Sequence, residues 1–489
     1  MVYAIAFPAD EYEAIDWQLE CDQSMTKTLG MPQRTRDPSP RITLVFARGG
    51  ESPAAADYEL RWLGVAQNPR GEKVALRDVR IKVDPLRRSP ARIRLAQLRS
   101  VLSKDHAGAL ATALTAEVTA LPDELGDSVI TALRSLHPRL ASLLDFLETI
   151  AQPDLLDSAR TEDRSWQEQS DATRTGLQIG GFPPSLLAAW RRPADRHAPF
   201  LAGIVREPTE QSLIEHDVAH SLPGPRIFEV WEDPDTGELE SDFRCDIHVF
   251  EHRGRRIEVV NVNASEVENR TGTDLIYYHV ATQSLTLVQY KRLPALERWV
   301  YANKQLLGQL DRLEAVANLS RQPIAAHEWR LSNDACFLKL AYWPEDRRAD
   351  PNGPAPGMIL PLSYVRLLLQ DDCTLGPGDG RRLGYGYADR HLVHTQFIEL
   401  VKHGLTGTVG TTRDEVIALA KQRAREGNSV AIAAELAYGE PGQVVRERQQ
   451  RARSRGPEKK PKPKRPTVPS GQMSFDDGDE DTSSYEWPS

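Results

Sequence analysis

Hydrophobic and polar positions fall into distinct regimes along the chain. In the first stretch, ITLVF at 42–46, YELRWLGV at 58–65 and VALRDVRIKV at 74–83 alternate or run β-branched between turn signals, which predicts strands and a small sheet. From Pro90 to about Trp190 the spacing becomes helical, through Ile93, Leu95, Leu98, Val101 and Leu102 and then Leu133, Leu136, Leu140, Leu143, Leu144 and Phe146. Farther on, DIHVF at 246–250 and RIEVVNVN at 256–263 flank EHRGR, a hairpin pattern with Gly254 in the turn. Two more strands follow, TDLIYY at 273–278 and LTLVQYK at 285–291. The segment beginning PALERWVYANK puts Pro294 in a first helical turn and Trp299, Leu306, Leu310 and Leu313 on one stripe, so it predicts an amphipathic helix behind the sheet. Strand-like FLKLAYW at 337–343 comes next. Beyond residue 350, GPGDGRRLGYGY reads as a surface loop, since it lacks the GK[ST] of a phosphate loop. The helix HLVHTQFIELVKHG stops at Gly404, and Thr412 with Glu415 forms a capping box for another.

A chain of 489 residues exceeds one ordinary core. The pattern predicts a multidomain α/β protein: a β-rich unit over 1–90, a helical region over 91–225, a mixed core over 226–345, a C-terminal α/β extension over 346–440 and a tail over 441–489. Hydrophobic residues make up 40% and the net charge is -9, which excludes a disordered chain and a globally basic nucleic-acid coat. Charge is unevenly placed: residues 446–465 carry ten basic and two acidic side chains, and residues 471–489 six acidic and no basic ones. With Pro, Gly and Ser throughout, this tail is expected to be disordered, its basic half available to phosphates. Cys21, Cys245, Cys336 and Cys373 form no CxxC pair, so neither a disulfide framework nor a structural zinc site is indicated and a reducing cytoplasm fits. No run reaches the ~18 apolar residues of a membrane span, and the start lacks a basic signal region.

The hairpin at 273–291 carries the chemistry. Antiparallel pairing across 279–284 sets Tyr278 opposite Leu285 and therefore Asp274 opposite Gln289, unless a bulge intervenes. Alternation sends Lys291 to the same face as Gln289. A carboxylate, an amide oxygen and an ammonium at one sheet end meet the needs of phosphodiester hydrolysis. Mg²⁺ or Mn²⁺ held by Asp274 and by a backbone or Gln289 oxygen would polarise a phosphate, and Lys291 would orient the attacking water or neutralise developing charge.

GTDLIYY, a hairpin, LVQYKRL and a helix together resemble the PD-(D/E)xK nuclease superfamily, in particular its Mrr-like branch, where Gln commonly replaces the second acid. The resemblance covers residues 266–319 and implies a restriction-endonuclease-like mixed sheet flanked by helices. It also implies metal-dependent cleavage of DNA, and a restriction or anti-phage defence role. It assigns metal binding to Asp274 and Gln289 and the water to Lys291, with Glu268 as the upstream acid and Glu266 in reserve. Thr273 stands where the family has Pro, and Gln289 removes one carboxylate.

Other features compete. HDVAH spaces His216 and His220 one helical turn apart around Asp217, as zinc ligands would be, but no third ligand follows by spacing. His391, His394 and His403 read as packing or surface residues, and QMSF at 472–475 only faintly resembles a sliding-clamp peptide. In the bland alternative Asp274, Gln289 and Lys291 are polar groups of a solvated hairpin. The function alternative is a non-catalytic nucleic-acid-binding or scaffold protein on a decayed nuclease fold. A homo-oligomer is left open.

Overall fold

The first residues, VYAIAF, are apolar at every position, and a strand apolar on both faces belongs inside a sheet. They form β1 (Val2–Phe7), buried throughout. The structure, a computed structural model, describes residues 2–22, 24–30, 40–48, 58–66, 72–73, 78–205, 207, 244–252, 255–263, 273–294, 296–343, 354–425 and 429–435. The tail over 441–489, the HDVAH segment, Glu266 and Glu268 lie outside the described residues.

After β1 come α1 (Ala9–Asp22), β2 (Met25–Gly30), β3 (Arg41–Arg48), β4 (Tyr58–Ala66), β5 (Glu72–Lys73) and β6 (Asp78–Arg94). Helices α2 (Leu95–Val101) and α3 (Lys104–Ala113), strand β7 (Val118–Leu121), and helices α4 (Asp123–Leu136) and α5 (Pro138–Ala151) follow. The strands form one sheet in the order β2-β6-β4-β3-β1-β7, with β5 beside β6. β1 and β3 are parallel, which places β1 between β3 and β7 and accounts for its apolar faces. Val2, Ala4, Leu44 and Leu63 pack under α4 and α5, while Tyr3, Ile5, Val45 and Trp62 pack with Tyr12 and Leu19 of α1. Residues 91–225 were expected to be helical; β7 and the end of β6 correct that in detail, both being recruited by the first sheet.

The second half builds another sheet. Helix α6 (Thr161–Ile179) precedes β8 (Arg244–His252), β9 (Arg255–Asn263), β10 (Thr273–His279), β11 (Ser284–Arg292), β12 (Trp299–Tyr301), α7 (Lys304–Ala317) and β13 (Cys336–Ala341). Then come β14 (Gly357–Pro361), α8 (Leu362–Leu368), β15 (Arg382–Gly384), α9 (His394–Lys402), α10 (Arg413–Arg425) and β16 (Ser429–Glu435). The sheet order is β14-β13-β11-β10-β16-β9-β8, with β10/β16 and β11/β13 parallel. Helices α7, α8 and α10 pack on one face through Leu306, Leu310, Val365, Val416 and Ala420, and α6 and α9 on the other through Trp166, Leu177, Phe397 and Val401.

Two findings differ from the sequence expectations. The helix after β11 begins at Lys304 and not at Pro294, because the Asn303 side chain accepts from the Leu306 N–H and caps it there, while Trp299 sits in the short strand β12. The segments 91–225, 226–345 and 346–440 are joined by the second sheet: α6 covers it, and β14 and β16 complete it. The fold is mixed α/β, with helix-flanked sheets.

Candidate functional site

The expected register is the one observed. Strands β10 and β11 pair Asp274 with Gln289 and Tyr278 with Leu285, with no bulge between them. Alternation then sorts the hairpin. Ile276, Tyr278, Leu285 and Leu287 join the core under α7 and α10, and Leu275, Tyr277, Val288 and Tyr290 join the core under α6. Asp274 and Gln289 share the α10 side, and α10 supplies their partner. Arg423 lies 3.0 Å by Nε from Asp274 Oδ2 and donates from Nη2 to Gln289 Oε1 at 3.3 Å. Asp274 and Gln289 are 0% exposed and Arg423 1%.

Asp274, expected from sequence as a metal ligand, is a core residue paired with a buried guanidinium. The nearby Cys336 is buried as well, and burial pushes its thiol pKa up to about 12, with Arg423 opposing the rise and Asp274 adding to it. A divalent ion needs several oxygen ligands around it, and here the cation Arg423 takes one carboxylate oxygen of Asp274, Oδ2, and the amide oxygen of Gln289. Among the described residues, no three His, Cys, Asp or Glu side chains gather to hold an ion. Asp274 and Gln289 are thus the two described residues of the expected ligand set, and Arg423 holds both. A cleft of about 290 Å³ beside α7 and α10 is lined by Arg312 and Arg423, by Glu415 and Gln422, and by apolar side chains.

Lys291, half-buried at the end of β11, is not drawn to Asp274. Burial lowers its pKa, and the carboxylate opposing that shift is Glu168 of α6. Glu168 in turn has its pKa raised, by burial foremost, against the lowering effects of Arg292, Lys291 and Arg164. Arg292 donates to Glu168 Oε1 at 3.1 Å and to Gln167 Oε1 at 3.0 Å, with its guanidinium 3.9 Å from the Trp343 ring centre. The structure thus brings Asp274 and Gln289 together around Arg423, while the carboxylate whose charge acts on Lys291 is Glu168.

Within the 90–190 region, where the spacing predicts helices, α6 adds a feature that the apolar spacing does not carry. Its buried face is polar, including Asp163, Gln169, Asp171, Thr173 and Arg174. Such a face must find partners on the sheet, and that buried polarity within a helical pattern was the available signal. Asp171 accepts from Lys339, from Tyr290 Oη at 2.9 Å and from the Ala355 N–H at 2.5 Å. Burial raises the Asp171 pKa, but Lys339 first among its partners outweighs that and leaves it below the usual carboxylate value. His394 of α9, 2.7 Å from Gln178 Oε1 through Nε2, is pushed down to about 4 by burial and then by Lys339, with Asp171 opposing. His403 pairs with Glu399 at 3.1 Å on the surface, and His391 meets the edge of Tyr385. Of the cysteines, Cys336 is free and buried and Cys373 free and exposed. Among the described residues no helix is long and apolar enough to cross a membrane.

Compared with family models, with curated proteins and with solved structures, the chain matches none.

Proposed function

We propose that this chain is a non-catalytic nucleic-acid-binding or scaffold protein, built on a restriction-endonuclease-like core whose reactive positions have become structural. One observation carries the reading: Asp274 and Gln289, opposite each other as a metal-binding pair would be, are wholly buried and share Arg423. A buried carboxylate held by a guanidinium is charge-compensated, whereas a catalytic metal ligand needs open coordination positions and access for a phosphate. The basic half of the tail supplies sequence-independent attraction to a polyanion.

The alternative, a Mg²⁺-dependent deoxyribonuclease active in DNA restriction or anti-phage defence in the cytoplasm, keeps one observation in its favour. The order of hairpin β10–β11 and then helix α7 matches the order of elements on which the resemblance rests. Incubation of the full chain with supercoiled plasmid, with and without Mg²⁺ or Mn²⁺, separates the two. The non-catalytic reading expects no metal-dependent nicking. Nicking that requires the metal and disappears in a folded Asp274→Asn variant would overturn it.

A further inference from the structure

Strands β12 and β15 form a two-stranded sheet of their own, pairing Trp299 with Gly384, Val300 with Leu383 and Tyr301 with Arg382. Alternation divides this ribbon. Leu383 is fully buried and Val300 packs against the core, so Trp299, Tyr301 and Arg382 are turned outward. Tyr301 is 45% exposed, and Trp299 and Arg382 are partly exposed. The Arg382 guanidinium lies 4.1 Å from the Trp299 ring centre and donates to Tyr387 Oη at 2.7 Å and Tyr301 Oη at 3.0 Å. Stacking and two hydrogen bonds fix its plane among three rings.

The glycine-rich stretch permits this approach. At Gly384, with φ +142, a Cβ would lie 2.6 Å from Trp299 Cα and 2.4 Å from the Arg298 carbonyl oxygen. The segment read from sequence as a plain loop thus seats one strand closely against another. Beside it, Arg298 lies 4.5 Å from the Tyr342 ring centre, and Tyr342 meets Tyr385 edge-on. Among the described residues, neither Arg298 nor Arg382 has a carboxylate partner, whereas the neighbouring Arg381 reaches Asp372 at 3.9 Å.

Partly exposed rings interleaved with cations that no carboxylate cancels suit a ligand that offers flat aromatic faces and negative charge together. Unpaired bases joined by phosphates have that chemistry, while a duplex hides its base faces. We infer that the β12–β15 face, centred on Trp299, Tyr301, Arg382 and Tyr387, binds single-stranded nucleic acid by base stacking. This rests on the nucleic-acid-binding reading above and names the ligand class and the place.

The test is fluorescence anisotropy of the full chain with a labelled oligothymidylate of about 15 nucleotides, within the usual range for such sites, and with a duplex of the same length. Tyr301→Ala should weaken single-strand binding by about 10-fold, the scale for removing one stacked ring, and leave duplex binding unchanged. Tyr301→Phe, which keeps the ring and removes only the acceptor for Arg382, should bind nearly as the parent does. If the parent binds neither oligonucleotide, the nucleic-acid reading itself fails and the inference with it. If the parent binds the single strand and Tyr301→Ala binds it as tightly, or loses single strand and duplex equally, the stacking site is refuted while the reading stands.

Discussion

Removing either member of the Asp274–Arg423 pair should be costly, and removing both should cost far less than the sum. At 3.0 Å, and with an effective dielectric constant of about 20, the Coulomb attraction is on the order of 5 kcal/mol, most of it spent on taking both charges out of water. Arg423→Met removes the guanidinium from beside a carboxylate at 0% exposure, and Asp274→Leu removes the carboxylate from beside a guanidinium at 1%. Each single change is expected to destabilise the chain by about 3–5 kcal/mol. The double variant replaces the pair with apolar groups among Leu338, Cys336 and Ala420, takes the Arg423 donor from the buried Gln289 amide oxygen, and is expected within about 1–3 kcal/mol of the parent. Urea unfolding followed by tryptophan fluorescence gives all four values at pH 7, and the cycle gives their coupling. Single variants within about 0.5 kcal/mol of the parent, or additive losses, would mean that Asp274 is solvated and would refute the reasoning.

Two further outcomes follow from the same geometry. The unfolded chain takes up a proton on His394 near its ordinary value of 6.5 while the folded chain resists until about 4, so stability should fall as pH drops through that window. This contribution is on the order of 3 kcal/mol by pH 4, and His394→Gln, measured by urea unfolding at pH 7 and 4.5, should lose most of that slope. An unchanged slope would place the sensitivity elsewhere. At Gly176 a Cβ would lie 2.6 Å from Ala433 Cβ, so Gly176→Leu should push α6 from β16 and cost about 1–3 kcal/mol or more, with faster amide exchange in both elements. Parent-like exchange would contradict that packing.

The hairpin at 273–292 was legible because its signals are local: alternation, aromatic and β-branched residues and a short connection set the Asp274–Gln289 register. Asn303 was the missed local signal, a capping residue that outweighed Pro294 in deciding where α7 starts. The place of β16 was not legible, since SVAIAAE is a short apolar run whose neighbours β9 and β10 lie far away in sequence. Arg423 had a weak trace. It stands seven residues after Val416 and three after Ala420, on the buried stripe of α10, where a charge implies an opposite charge across the interface. Nothing local says that the opposite charge is Asp274. The same holds for α6, whose buried polar residues meet partners as distant as Lys339.

The most direct test of the central claim is where a metal ion binds in crystals of the full chain soaked in Mn²⁺. An anomalous difference map should show no peak within the roughly 2.0–2.6 Å coordination range of the Asp274 carboxylate, with Arg423 still between Asp274 and Gln289. A peak bound by Asp274 and Gln289, with Arg423 turned away, would contradict the structural assignment and restore the metal site.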